Sequence, residues 1–338
     1  MKHKQTLRRG LSILLSLAMC LSLLPATALA EGTATATETA DFTTDAEAAL
    51  ALLNAAKTEG AADSTWNSES KTLTLKGVDF TTSAAIAVKL PDGATIVLAD
   101  GTENTIANVH GLIGDSVGIR ANGNITIQGS GTLTVTAGTA EQISCGIYGY
   151  TNVTITGGTV TATGGNATGD ASKSSGLYGR GYFENNEVIG GNITISGGTV
   201  KATGGNVDLY SDGIYADGAV TISGGTVTAT GGEVTDEASE SFGIESYVSE
   251  TIIISGGHVT ARTLTTTAWT KSALNAAPDL SGYSGYQWRT SASGDFTSSA
   301  DTAYTYRESD TYVEFSQGAA PTTYTVRFDA NGGSGEMT

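Results

Sequence analysis

Five side chains stand two residues after a recurring glycine: Arg120, Tyr148, Tyr178, Tyr215 and Glu245. The glycines are Gly118, Gly146, Gly176, Gly213 and Gly243, each followed by Ile or Leu, and they are spaced by 28, 30, 37 and 30 residues. Tyrosines at one position of stacked repeats would form a flat aromatic strip with steps of about 5 Å. Such a strip can stack on successive sugar rings while its phenols bond sugar hydroxyls. The alternative is cross-strand aromatic stacking that only stabilises a sheet. A second set is acidic: Asp208, Asp212 and Asp217, with Glu184 and Glu187 in an insertion. Carboxylates and loop carbonyls make Asp208, Asp212 and Asp217 candidate ligands for calcium, with no cofactor otherwise required. No EF-hand or glycine–aspartate nonapeptide spacing accompanies them, and a solvated acidic rim is the bland reading.

Nothing in the sequence asks for catalysis. Ser116, Ser144, Ser174, Ser211 and Ser241 recur two residues before each glycine, without a recurrent His or acid beside them. Turn hydrogen bonding suits them better. The bases Arg120, Lys173, Arg180 and Lys201 share no column, and Thr fills outer slots where paired acids would have to stand.

The elements that position these columns are short and repeated. A middle run reads Ile125-Thr126-Ile127, Val153-Thr154-Ile155, Ile193-Thr194-Ile195, Val220-Thr221-Ile222 and Ile252-Ile253-Ile254. A third run places Leu133/Val135, Val160/Ala162, Val200/Ala202, Val227/Ala229 and Val259/Ala261 around an outward Thr or Lys. Both alternate with period two, one face buried and one wet. Gly-Gly pairs such as Gly157-Gly158 and Gly197-Gly198 allow a sharp corner between the runs. Asn124, Asn152 and Asn192, just before the middle runs, suit a corner ladder. Identical residues in identical slots favour stacked coils over hairpins, so the spacing predicts an all-β, single-stranded parallel β-helix. Right-handed crossovers are the strong preference for such connections.

The ends and boundaries follow. Residues 1–30 read as a secretory signal, with Lys2, Lys4, Arg8 and Arg9, an apolar Leu11–Leu24 core and Ala28-Leu29-Ala30. Residues 31–65 carry a leader and a short capping helix over Asp45–Lys57, with Thr44 as N-cap. The β-helix is expected over 66–268, an aromatic C-terminal cap over 269–316, a linker over 317–323 and a new module over 324–338. The chain is expected to be secreted or wall-associated.

Formal charge is −17, and loss of the basic leader makes it more negative. That argues against nucleic acid and anionic lipid surfaces as partners, and against a polyanionic glycan unless a divalent cation bridges the two. Without the leader Cys145 is the one cysteine, which leaves no intramolecular disulfide and no thiolate metal site.

Two resemblances can be named. The Gly-Ile-Tyr, Val-Thr-Ile-Ser-Gly-Gly and Thr-Val-Thr-Ala-Thr-Gly-Gly runs, over roughly Trp66 to Phe315, resemble the carbohydrate-binding β-helix domains of clostridial and related gut-bacterial surface proteins. That resemblance implies a right-handed parallel β-helix of the pectate-lyase type that binds a polysaccharide or host glycan, sometimes with calcium. The closing YTVRFDANGGSGEM is similar to the start of a Listeria–Bacteroides repeat of the internalin B type, through Phe328, Asp329, Asn331, Gly332, Gly333, Gly335 and Met337. It implies a chain presented at a bacterial cell wall, and a structural stalk or adhesin is the alternative to a binding module. A polysaccharide lyase or hydrolase is the second alternative.

Overall fold

Threonine and β-branched residues in period-two runs, cut by glycine, favour strands too short to bury a face alone. The chain solves this by coiling. A computed structural model describes residues 36–318 except 112, 170–171, 186, 237–238 and 265–269. The expected signal, most of the linker and the closing repeat-like stretch lie outside the described residues, as does Trp269.

Three sheets of eight, nine and ten strands run along the coil, parallel except for strands added at the ends of the latter two. The first carries the glycine–isoleucine runs: Ser116–Ala121, Ile143–Gly149, Lys173–Gly179, Tyr210–Ala216 and Glu240–Ser246. The second carries the middle runs, such as Val153–Ile155 and Val220–Ile222, and the third carries runs such as Thr159–Thr163 and Thr226–Gly231. Register is like on like: Val153 pairs with Ile125 and Ile193, and Val160 with Leu133 and Val200. The fold is therefore an all-β parallel β-helix. Its core is one continuous column of Ile, Val, Leu and Ala, including Ile119, Ile147, Leu177, Ile214 and Ile244.

Glycine at the corners is a steric necessity. Gly158, Gly198, Gly225 and Gly257 take φ of 80°, 80°, 82° and 89°. A Cβ on Gly198 would lie 2.4 Å from the Gly158 carbonyl oxygen of the coil below. The polar corners are laddered as well. Asn192 Nδ2 donates to Asn152 Oδ1 at 3.0 Å, and Asn152 Nδ2 to Asn124 Oδ1 at 2.7 Å. The repeated serines clip loops: Ser174 Oγ donates to the Gly165 carbonyl and accepts from Gly205 N–H, both at 2.8 Å. These hydroxyls are spent on turns. The loops between coils stack too: Ala140, Ala167, Val207 and Val234 bridge in parallel and are buried.

Both ends of the coil are covered. The helix Ala46–Ala55, here α1, buries Ala49 and Leu53, four residues apart on one face. Its N-cap is Asp45 and not Thr44; the carboxylate accepts from Ala48 N–H at 3.0 Å, where a negative charge suits the helix dipole. At the other end Tyr312–Gln317 pairs antiparallel with His258–Thr263 and stops the parallel sheet. Tyr283, Tyr286 and Phe315 are buried beside it, with Trp288 and Tyr304 packed against them, forming the aromatic cap. Inside this cap Glu314 accepts from Arg289 at 2.7 Å and meets His258 Nε2 at 2.8 Å.

Candidate functional site

The outer face of the first sheet departs from plain alternation. Cys145 and Tyr148 are three residues apart yet share one apolar cluster outside the coil, while Ile147 belongs to the core. The strand slips by one residue at the glycine between them. Glycine is required at the slip, because a Cβ on Gly176 would sit 2.4 Å from the Thr203 nitrogen and 2.7 Å from the Ala162 carbonyl oxygen. The slip turns residues 120, 148, 178, 215 and 245 outward in register, with Arg120 beside Tyr148, Tyr148 beside Tyr178, Tyr178 beside Tyr215 and Tyr215 beside Glu245.

The column therefore stacks as the repeat predicts, but it is not a flat open strip. Tyr148, Tyr178 and Tyr215 are 4%, 8% and 4% exposed. Their rings meet edge to face, with centroids 4.9 and 4.8 Å apart and planes at 73° and 87°. A strand spacing of about 4.8 Å leaves face-stacked rings no room to relax, and the ring quadrupole favours the tilted contact. Tilted rings then cover Cys145 and Val117, whose cluster they close. The ladder is held by cations. Arg120 lies 5.4 Å from the Tyr148 centroid, and Arg180 Nη1 donates to the Tyr148 hydroxyl at 3.2 Å.

What solvent meets is the ladder's two ends. Tyr150 packs on Tyr148 at 6.4 Å and Tyr247 on Tyr215 at 5.9 Å, and these two rings are 37% and 57% exposed. Five rings thus form one connected line across the face. Beside it the insertion after Arg180 folds into an antiparallel hairpin of Gly181–Glu184 and Glu187–Gly190, which holds Tyr182 and Phe183 in solvent. Reading only the repeat slots missed Tyr150, Tyr182, Phe183 and Tyr247. The available signal was aromatic residues directly after the strand, at 150 and 247, and within the longest insertion.

At the Tyr247 end lies a pocket of about 260 Å³ lined by Ile143, Lys173, Tyr210, Tyr215, Glu245 and Tyr247. The Lys173 ammonium sits 2.8 Å from the Tyr215 centroid and within 6 Å of the centroids of Tyr178, Tyr210 and Tyr247. Asp212 and Glu245 are 1% and 3% exposed and hydrogen-bonded to each other. Two adjacent buried carboxyls cannot both ionise cheaply, so they share a proton. Burial, then the Glu245 charge, pushes Asp212 well above the usual carboxylate range. Burial pushes Glu245 up to about 7, against the pull of Lys173. Burial also lowers the Lys173 ammonium, against the surrounding acids.

The acidic trio is separated. Asp212 faces Glu245, Asp217 accepts from Gly181 N–H at 3.0 Å and bonds the Tyr215 hydroxyl, and Asp208 accepts from the Thr235 hydroxyl at 2.7 Å. Among the described residues no three His, Cys, Asp or Glu side chains form a group placed to hold a metal ion. Paired acids, absent from the sequence columns, arise because Asp212 and Glu245 stand in adjacent coils at different slots.

Aromatic rings with exposed rims beside hydrogen-bonding charges form a surface suited to sugar rings. The sequence model of a family described as carbohydrate-binding domain-containing proteins matches residues 57–294. The chain belongs to that family. No curated protein and no solved structure matches it. The matched span of this carbohydrate-binding domain contains the whole tyrosine ladder, the hairpin and the acidic pocket. No described helix is long and apolar enough to cross a membrane.

Proposed function

We propose that this chain is a secreted or cell-surface, non-catalytic module that binds a polysaccharide along the outer face of its first sheet. The observation that carries the reading is the line Tyr150–Tyr148–Tyr178–Tyr215–Tyr247, exposed at both ends and bordered by a pocket. The ends lie three coils apart, about 14 Å at the strand spacing, so an extended glycan rather than one sugar suits the face. In this reading Tyr150 and Tyr247 touch the glycan. Tyr148, Tyr178 and Tyr215 support them, with Arg120 fixing one end of the column and Glu245 acting in the pocket.

The carboxyl pair favours binding over cleavage. Glycoside hydrolysis sets its two carboxyls on either side of the scissile bond. Asp212 and Glu245 instead lie buried side by side. Export is supported by the basic and apolar leader of residues 1–30, and wall association by the repeat-like stretch of residues 324–338.

Binding is tested by retention of the full chain on insoluble cellulose, xylan, pectin and mucin, with calcium or with chelator. Retention on at least one, lost in a Tyr150→Ala/Tyr247→Ala double variant, supports the face. Failure to bind any of them, or undiminished binding by the double variant, counts against it. A reducing-sugar assay on the same substrates separates binding from hydrolysis.

A further inference from the structure

We infer that the pocket beside Tyr247 is a subsite for an uncharged sugar residue, gripped between the Glu245 carboxyl group and the Lys173 ammonium. This rests on the glycan-binding reading above. Among the described residues Lys173 is the one base lining the pocket, and Glu245, Asp212, Asp217 and Glu240 all act on it. A uronate entering there would meet Glu245, with Asp212, Asp217 and Glu240 around it; even with one proton held by the Asp212–Glu245 pair, this negative charge outweighs the single Lys173 ammonium and repels it. A cationic amino sugar meets a different obstacle. The aromatic cage that would receive its ammonium, formed by Tyr178, Tyr210, Tyr215 and Tyr247, already holds Lys173. A neutral sugar avoids both penalties.

The pocket also holds what such a sugar needs. Among the described residues no N–H or hydroxyl donates to the buried Glu245 Oε2. Asp212 Oδ1 is already occupied by Phe242 N–H at 3.2 Å, so that carboxyl is anchored beside Glu245. A buried acceptor left without a donor is costly, and a hydroxyl of a bound sugar supplies one. Two neighbouring hydroxyls can then be divided, one donating to Glu245 and one accepting from Lys173. Tyr247, more than half exposed, offers its ring to the sugar's apolar face.

The test is calorimetry on the full chain with cello-, xylo- and manno-oligosaccharides as neutral probes, oligogalacturonate as the anionic probe and glucosamine oligomers as the cationic probe, all in chelator. The inference expects at least one neutral probe to bind about tenfold or more tightly than either charged class. It also expects Glu245→Gln and Lys173→Met to weaken that probe about tenfold each, the scale of one hydrogen bond to a charged group. Thermal melts confirm that each variant is folded, and Lys173→Met retains the packing if Glu245→Gln does not fold. Equal or tighter capture of oligogalacturonate or glucosamine oligomers overturns the inference and leaves glycan binding intact. Unchanged neutral affinity in both variants does the same. Binding of no probe at all removes the underlying reading and this one with it.

Discussion

The first and third sheets are made by the same coils, yet their outer faces differ. The third presents Thr134, Thr161, Thr228 and Thr260, partly exposed in register and met by water. The first presents tyrosines, a lysine and carboxyls, and it buries them. Apart from the proton held between Asp212 and Glu245, the buried side-chain atoms among the described residues that meet no hydrogen-bonding donor or acceptor are Arg120 Nε, Thr151 Oγ1, Ser175 Oγ, Asp212 Oδ2 and Glu245 Oε2. All five lie on the first sheet's outer side or at the corner that follows it. Each such atom costs about 1–3 kcal/mol, so a chain optimised only for coil stability would not gather them on one face. The third sheet shows what scaffolding alone requires, and the excess on the first sheet is what the proposed binding face rests on.

The comparison breaks most visibly by truncation. Tyr178→Ala removes a buried ring with an edge-to-face partner on each side and is expected to cost about 3–5 kcal/mol. Thr161→Ala on the third sheet is expected to stay within about 0.5 kcal/mol. Chemical denaturation of the two variants measures the gap, and equal losses would remove the distinction between the faces.

The buried carboxyls separate the faces by pH. Glu245 holds its proton to about 7 in the fold but only to its ordinary value of 4.5 when unfolded. The folded chain therefore retains a proton that the unfolded chain releases. This contribution is full below pH 4.5 and is lost as pH rises through 7. Asp212, also raised, acts in the same direction, while Lys173, Asp217 and Glu240 stand around the pair. Melting temperature is expected to fall by a few degrees between pH 4.5 and 8, and Glu245→Gln to flatten the slope. A melting temperature that rises across that window contradicts the shared proton.

Smaller effects sharpen the contrast. Tyr247→Ala should leave the melting temperature within a degree or two while weakening glycan retention about tenfold, because its ring is mostly solvent-exposed. Cys145, buried among the tyrosines with its thiol pushed up by burial, should resist a thiol reagent in the native chain and react once it is denatured. Rapid native labelling would show that the ladder opens.

Much of the coil was legible because a solenoid makes sequence period and spatial neighbour the same thing. Once Ile147, Leu177 and Ile214 share a slot, stacking is forced, and the serine and asparagine ladders follow with it. The helical cap at Ala46–Ala55 and the aromatic cap were visible in composition for a similar reason: an open coil end needs cover, and a change from Thr and Val to Leu or to aromatics supplies it. Contacts between different slots were not legible. The pairing of Asp212 with Glu245, the reach of Lys173 across to Tyr215 and the tilt of the rings depend on side chains crossing from one column to another.

By itself, then, the sequence determined the parallel β-helix, its register and the column of Arg120, three tyrosines and Glu245, since backbone pairing transmits a repeat directly into space. Only the tertiary structure decided that the tyrosines lie edge to face and nearly buried, and that their exposed ends are Tyr150 and Tyr247. It alone decided that two distant acids share a proton beside a caged lysine. Ring packing, desolvation and charge act through distance between atoms, and a one-dimensional spacing does not carry that distance.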